Sequence, residues 1–202
     1  MTSAAYCHPS TMADLPNIGI FGGTFDPVHL GHLHLASLAR AALALDEVRF
    51  LPCQISPHKT GTPPASGNDR LGMLQLATAG IPWAIIDDSE LQGNGPSYSF
   101  QTAEVMAARF PTARLFWIMG GDQWDALPRW KNPERLASCV EFAVLSRGRP
   151  PEPRPGYRLH TIQGTHPASA TKIREAISAG ESPPWLHEGV MRHVASHRLY
   201  RL

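Results

Sequence analysis

Charge of one sign is missing from this chain of 202 residues: 18 basic and 17 acidic side chains leave a net charge of +1 with ten histidines counted neutral. So weak an overall field gives no reason to expect nucleic acid or an anionic membrane as partner, although local patches remain open. Long apolar runs are missing too, and the N-terminus has no basic stretch followed by a hydrophobic one, so neither a membrane span nor an export signal is expected. Cysteine is scarce. Cys7, Cys53 and Cys139 are scattered, odd in number and without CxxC spacing, which fits reduced thiols in a cytoplasm. The length asks for one domain with a well-filled core and no second one. Residues 1–16 are small and polar with no period, as expected of a loose leader, and Met12 stands close enough to the first strand to be the true start of translation. The domain proper is then 17–202.

What is present is concentrated in Ile18 to Ala36, IGIFGGTFDPVHLGHLHLA. Ile18, Ile20 and Phe21 predict a short strand, and Gly22-Gly23 lets the backbone turn and a ligand approach the main chain. After Asp26-Pro27 a helix opens near His29 or Leu30, with its unpaired N–H groups and positive end facing the loop, a setting that favours phosphate. His29 and His32, three apart on the first turn, share a face, and Gly31 leaves room beside them. A metal pair or two surface histidines is the competing reading, with His34 nearby. Zinc is disfavoured because no further Cys, Glu or Asp follows at ligand spacing. The glycines do not form G-x-G-x-x-G, and no Walker lysine follows.

Downstream, Leu33 to Leu45 reads as a buried crossover helix and Val48 to Pro52 as a second strand, which together imply a right-handed parallel unit. A Pro/Gly/Ser-rich loop follows, carrying His58 and Lys59, and then a helix from Arg70 to Ala79 capped by Asp69. Arg70 has no assigned role. Trp83 to Ile86 is a third strand, Asp87, Asp88 and Glu90 read as turn and surface charges, and Phe100 to Arg109 is a helix. Ala113 to Met119, ARLFWIM, is a strand buried on both faces, followed at once by Gly120-Gly121-Asp122, which repeats the logic of the first strand. Asn132 to Ser138 is a short helix, Val140 to Leu145 a fifth strand, 146–158 a mobile Arg/Pro connector, and Leu159 to Ile162 a short sixth strand. The alternation predicts an α/β, Rossmann-like, doubly wound domain with a mainly parallel sheet flanked by helices and a small C-terminal helical part. Its ligand crevice should lie between the first and fourth strands.

GGTFDPVHLGH resembles the (H/T)xGH signature of a nucleotidyltransferase superfamily and, more narrowly, of bacterial nicotinate mononucleotide adenylyltransferases. Ala168 to Arg174, ASATKIR, is similar to that family's second signature, ISxTxIR, with Ala168 in place of Ile. The resemblance runs from Ile18 to Arg201. It implies transfer of AMP from ATP to nicotinate mononucleotide, giving deamido-NAD and pyrophosphate in NAD biosynthesis. His29, His32, Lys59 and Arg174 would be catalytic. Gly22, Gly23, Thr24, Phe25, Gly120, Asp122, Ser169 and Thr171 would bind ATP. Ser97, Tyr98, Ser99, Trp130 and Lys131 would bind the mononucleotide. Lys131 stands where the family usually has an aromatic residue, and core packing competes with ring stacking for Trp130. Mg²⁺ would arrive with ATP rather than sit in a dedicated protein site, and a homo-oligomer remains open. The rival readings are a sister enzyme such as pantetheine-phosphate adenylyltransferase, a nucleotide sensor without turnover, and nicotinamide mononucleotide as preferred substrate.

Overall fold

Each strand of the sheet forms where apolar residues alternate or run without interruption, and the computed structural model arranges them in one six-stranded sheet. The structure describes residues 15–55, 63–93, 95–146 and 148–201. The expected leader and the question of Met12 therefore lie outside the described residues up to position 14, as do His58 and Lys59. Strand β1 (Asn17–Gly23), helix α1 (Leu30–Leu43), β2 (Glu47–Pro52), α2 (Gly67–Thr78) and β3 (Ala84–Ile86) make the first half. Helix α3 (Ser99–Arg109), β4 (Arg114–Gly120), α4 (Gly121–Ala126), α5 (Pro133–Cys139), β5 (Glu141–Ser146), β6 (Leu159–Gln163), α6 (Ala170–Ser178) and α7 (Glu188–Ser196) follow.

The strand order is β3-β2-β1-β4-β5-β6 and every pairing is parallel. All strands being parallel sharpens the expected mainly parallel sheet, and the reversal of winding falls between β1 and β4, where the sequence places it. Parallel strands this deep must bury both faces. In β4 this is visible residue by residue: Leu115, Trp117 and Met119 enter one core, Phe116 and Ile118 the other. Ala36 and Ala39 of α1, Met73 and Leu74 of α2, Ile173 of α6 and Val190 of α7 cover the first core. Phe100 and Met106 of α3, Trp124 of α4 and Leu136 of α5 cover the second. Among the described residues no helix is long and apolar enough to cross a membrane.

Three expectations are corrected. The cap of α2 is Ser66, whose hydroxyl accepts from Asp69 N–H at 3.0 Å, so Asp69 is the third helical residue and not the cap. Asp87 is a buried ion-pair centre rather than a surface charge, with Arg49 at 3.2 Å and Arg109 at 2.8 Å. Burial pushes its carboxyl up, but the Ser89 hydroxyl and amide and the two guanidiniums outweigh that and hold it below the usual carboxylate range. The Arg/Pro connector is pinned, not mobile: the fully buried Trp124 donates its indole N–H to the Glu152 carbonyl at 3.0 Å, and Arg154 lies over the same ring at 4.6 Å. A buried indole needs an acceptor, and with α4 and β5 closing in, the connector supplies it.

Gly19 marks how tightly β1 is enclosed. A Cβ there would meet Leu45 Cδ1 at 2.8 Å, Ile118 Cδ1 at 2.9 Å and Val48 Cγ2 at 3.2 Å. Gly19→Ala should therefore overpack the core and cost about 1–3 kcal/mol of unfolding free energy. Urea denaturation monitors it, and an unchanged midpoint would contradict so close a fit.

Candidate active site

The loop 24–29 leaves the C-terminal end of β1 at the switch point, and groups from distant parts of the chain hold it. Arg70 of α2 is 2 % exposed and spends its guanidinium on three carbonyls: Ala65 and Thr24 at 3.0 Å each and Cys53 at 2.8 Å. It thereby ties the loops after β1 and β2 to the start of α2. Asp26 is buried, and its Oδ1 accepts from Ala65 N–H at 3.1 Å and from the Tyr200 hydroxyl at 2.7 Å. The Asp26 carbonyl accepts from Arg174 Nη1 of α6 at 2.7 Å. Burial and the neighbouring carboxylate both push the Tyr200 phenol far up, so it stays a donor.

His29 caps α1 in an extended conformation and His32 lies one turn in, as the spacing predicts. Their rings stack at 3.7 Å with 21° between planes, and His32 Nδ1 accepts from the His29 backbone N–H at 3.2 Å. Phe25, at φ +50°, is 2 % exposed and meets the His32 ring edge-on at 5.1 Å. Its side chain belongs to the core, so main-chain groups are what Phe25 can offer a ligand. Gly31 behaves otherwise than expected. The room it leaves is filled by imidazoles, since a Cβ would come within 3.0 Å of the His29 ring and 3.2 Å of His166 Nδ1. The helix end is also less open than expected: Leu30 N–H is taken by the Trp185 carbonyl and His32 N–H by that of His29, each at 2.9 Å.

Burial first, and the charge of a protonated His166 second, push the His29 imidazole down to about 4, opposed by a hydrogen bond with its own backbone. His29 is thus neutral at pH 7 in the free protein, with its Nδ1 buried.

Ser169 caps α6, with Thr171 on its first turn and Arg174 one turn further, although the cap makes no side-chain hydrogen bond. Gly22 and Gly23 pair with Leu51 and Pro52 of β2, and Thr24 Oγ1 lies 3.8 Å from Cys53 Sγ. Gly120 ends β4, and Asp122 is exposed on the first turn of α4. The mononucleotide candidates gather separately at α3. Ser97 Oγ accepts from Gln54 N–H at 3.1 Å, Tyr98 caps the helix, Ser99 opens it, and Lys131 Nζ lies 4.2 Å above the Tyr98 ring. Trp130 is half-buried against the same core as Tyr98. Sequence reasoning missed Asp26, Arg70, His166 and Tyr200 as site-forming residues. Tyr200 lies within HRLYRL, inside the stretch that the family resemblance covers, and a buried arginine on an apolar helix stripe is itself a signal.

The Cytidylyltransferase-like family matches residues 20–176 of this chain. The "Probable nicotinate-nucleotide adenylyltransferase" of Listeria monocytogenes is 38% identical over 185 residues, covering 91% of this chain and 96% of that protein. Its namesake in Bacillus cereus is 42% identical over 163 residues, covering 80% and 81%. Among solved structures, Plasmodium falciparum nicotinic acid mononucleotide adenylyltransferase complexed with NaAD superposes with a TM-score of 0.72. It covers 92% of this chain and 97% of its own at 16% identity, a likeness of fold.

The neutral state of His29 has a measurable sign. Its folded pKa lies below the unfolded value of 6.5. Between about pH 4 and pH 6.5 the unfolded chain therefore binds more protons, and stability should rise with pH across that window. NMR titration of the free protein should place the His29 midpoint near 4. A midpoint near 6.5 would show that the ring is hydrated rather than enclosed.

Proposed function

The chain belongs to the cytidylyltransferase-like family and, within it, to the nicotinate-nucleotide adenylyltransferases, and on that premise we propose that it joins ATP and nicotinate mononucleotide into deamido-NAD, releasing pyrophosphate. The observation that carries this reading is the bond from Arg174 to Asp26, 148 residues apart, which brings the two signatures to one loop. A polyphosphate laid across that loop meets imidazoles on one side and a guanidinium on the other.

A phosphate oxygen of the mononucleotide attacks the α-phosphorus of ATP in line, a P–O bond forms opposite the departing one, and pyrophosphate leaves with the bonding pair. No protein nucleophile takes part, so catalysis is positioning plus stabilisation of developing charge. His29 and His32 hold the α- and β-phosphates. His29 does so as a neutral donor, which avoids stacking two cations. Arg174 and Lys59 offset charge on the leaving group. Ser169, Thr171, Gly120, Asp122 and the main chain of 22–25 complete the ATP side. Ser97, Tyr98, Ser99 and Trp130 receive the mononucleotide, with the Lys131 ammonium near Tyr98 suited to a carboxylate on its ring. The carboxylate beside the histidines, Asp26, is already engaged by Ala65, Tyr200 and Arg174. This does not fit a dedicated magnesium cage, and we assign Mg²⁺ to the ATP phosphates. The scattered cysteines agree with a reducing cytoplasm as the compartment.

With ATP supplied, nicotinate mononucleotide should release pyrophosphate faster than nicotinamide mononucleotide. No release with either would overturn the reading in favour of a nucleotide sensor. His32→Ala should lower kcat by roughly 10²–10³-fold, the usual loss for one donor to a developing oxyanion, in a chain that still unfolds cooperatively. Unchanged turnover in such a folded variant would remove His32 from the reaction.

A further inference from the structure

On the face of the domain where α2 meets α7, three side chains outside the nucleotide site converge. His193 Nε2 lies 3.1 Å and His197 Nδ1 2.6 Å from the same oxygen, Asp69 Oδ1. The two histidines are four apart on and just beyond α7, and their ring centroids are 3.9 Å apart. One ligand atom from each of the three residues falls within 4.8 Å of the others, the one such group among the described residues.

We propose that Asp69, His193 and His197 form a binding site for a divalent transition ion of the Zn²⁺ class, which staples α7 to the start of α2. Two imidazoles and a carboxylate are a donor set for zinc, with a fourth position left to water. Tetrahedral bonds of about 2.0 Å separate ligand atoms by about 3.3 Å, against 3.1 and 2.6 Å for the two imidazole–carboxylate separations here, so Asp69 Oδ1 would retreat from the imidazoles by a fraction of an ångström.

The surroundings hold the set ready. The second carboxylate oxygen of Asp69 accepts from the Ser66 hydroxyl at 2.6 Å, which leaves Oδ1 turned toward the imidazoles, the kind of outer support that orients metal ligands. Gly72, one turn along α2, makes space for the His193 ring: a Cβ there would lie 3.2 Å from its Cε1. Side-chain exposures of 15% for His193, 18% for Asp69 and 50% for His197 leave the site open to solvent on one side. The ion would fasten the element whose continuation carries Tyr200 to Asp26, so occupancy bears on the anchoring of the loop 24–29.

The test uses the full chain without a histidine tag, stripped with chelator and kept free of nucleotide, so that its outcome does not depend on turnover. Titrated Co²⁺ should give the visible bands of a four-coordinate ion at one equivalent, and Zn²⁺ should bleach them. Zn²⁺ at a hundredfold excess over its Kd should raise Tm by roughly 5–10 °C. His197→Gln, at a half-exposed position that leaves the core untouched, should weaken binding at least about tenfold, as should Asp69→Asn, whereas His34→Asn should bind like the parent. Absent cobalt bands, or affinity unchanged in both His197→Gln and Asp69→Asn, would overturn the site and leave the three residues as a hydrogen-bonded clamp.

Discussion

An irregular loop can position phosphates only if something rigid fixes it, and here the buried guanidinium of Arg70 supplies that constraint. Its bonds to Thr24, Cys53 and Ala65 join the ends of two parallel strands to the cap of α2. Among the described residues, carbonyl oxygens rather than a carboxylate accept from it, and no ion pair cancels its positive charge. Asp26 takes the remaining role of gathering the chain's far ends, through Tyr200 on one oxygen and Arg174 on the backbone. The arrangement places fixed positive charge behind the loop and hydrogen-bond donors around it, which is what charge stabilisation without reorganisation requires.

A neutral His29 complements that background. Stacking His29 on His32 at 3.7 Å would be costly if both rings were charged, and enclosure keeps His29 uncharged. Gly31 is what permits the enclosure, because its missing side chain is the space that His29 and His166 share. The energetic effort goes into packing rings rather than into holding an open void.

The sheet was legible from the sequence because its signals are local. Within ARLFWIM the run Leu115 to Met119 is apolar throughout and feeds both cores alternately, and Gly22-Gly23 and Gly120 end adjacent strands at the winding reversal as their glycines imply. The histidine pair was legible for the same reason, being three residues apart on one turn. Arg70, Asp26 and Tyr200 were not, since Asp26 and Tyr200 are 174 residues apart and no period links them. Asp87 was misread because its neutralising arginines come from β2 and the end of α3, and the connector around Glu152 because its partner is an indole reached across 28 residues. Local pattern gave the elements and the candidate histidine pair; the fastening of the loop is tertiary.

The central claim is that this fastened loop, between the ends of β1 and β4, is where a triphosphate lies. A crystal structure of the protein with a non-hydrolysable ATP analogue measures it directly. The account predicts phosphate oxygens within hydrogen-bond distance of both His29 and His32, with the Arg174 guanidinium facing the β- and γ-phosphates. A triphosphate bound at any other edge of the sheet, with these side chains unengaged, would contradict it.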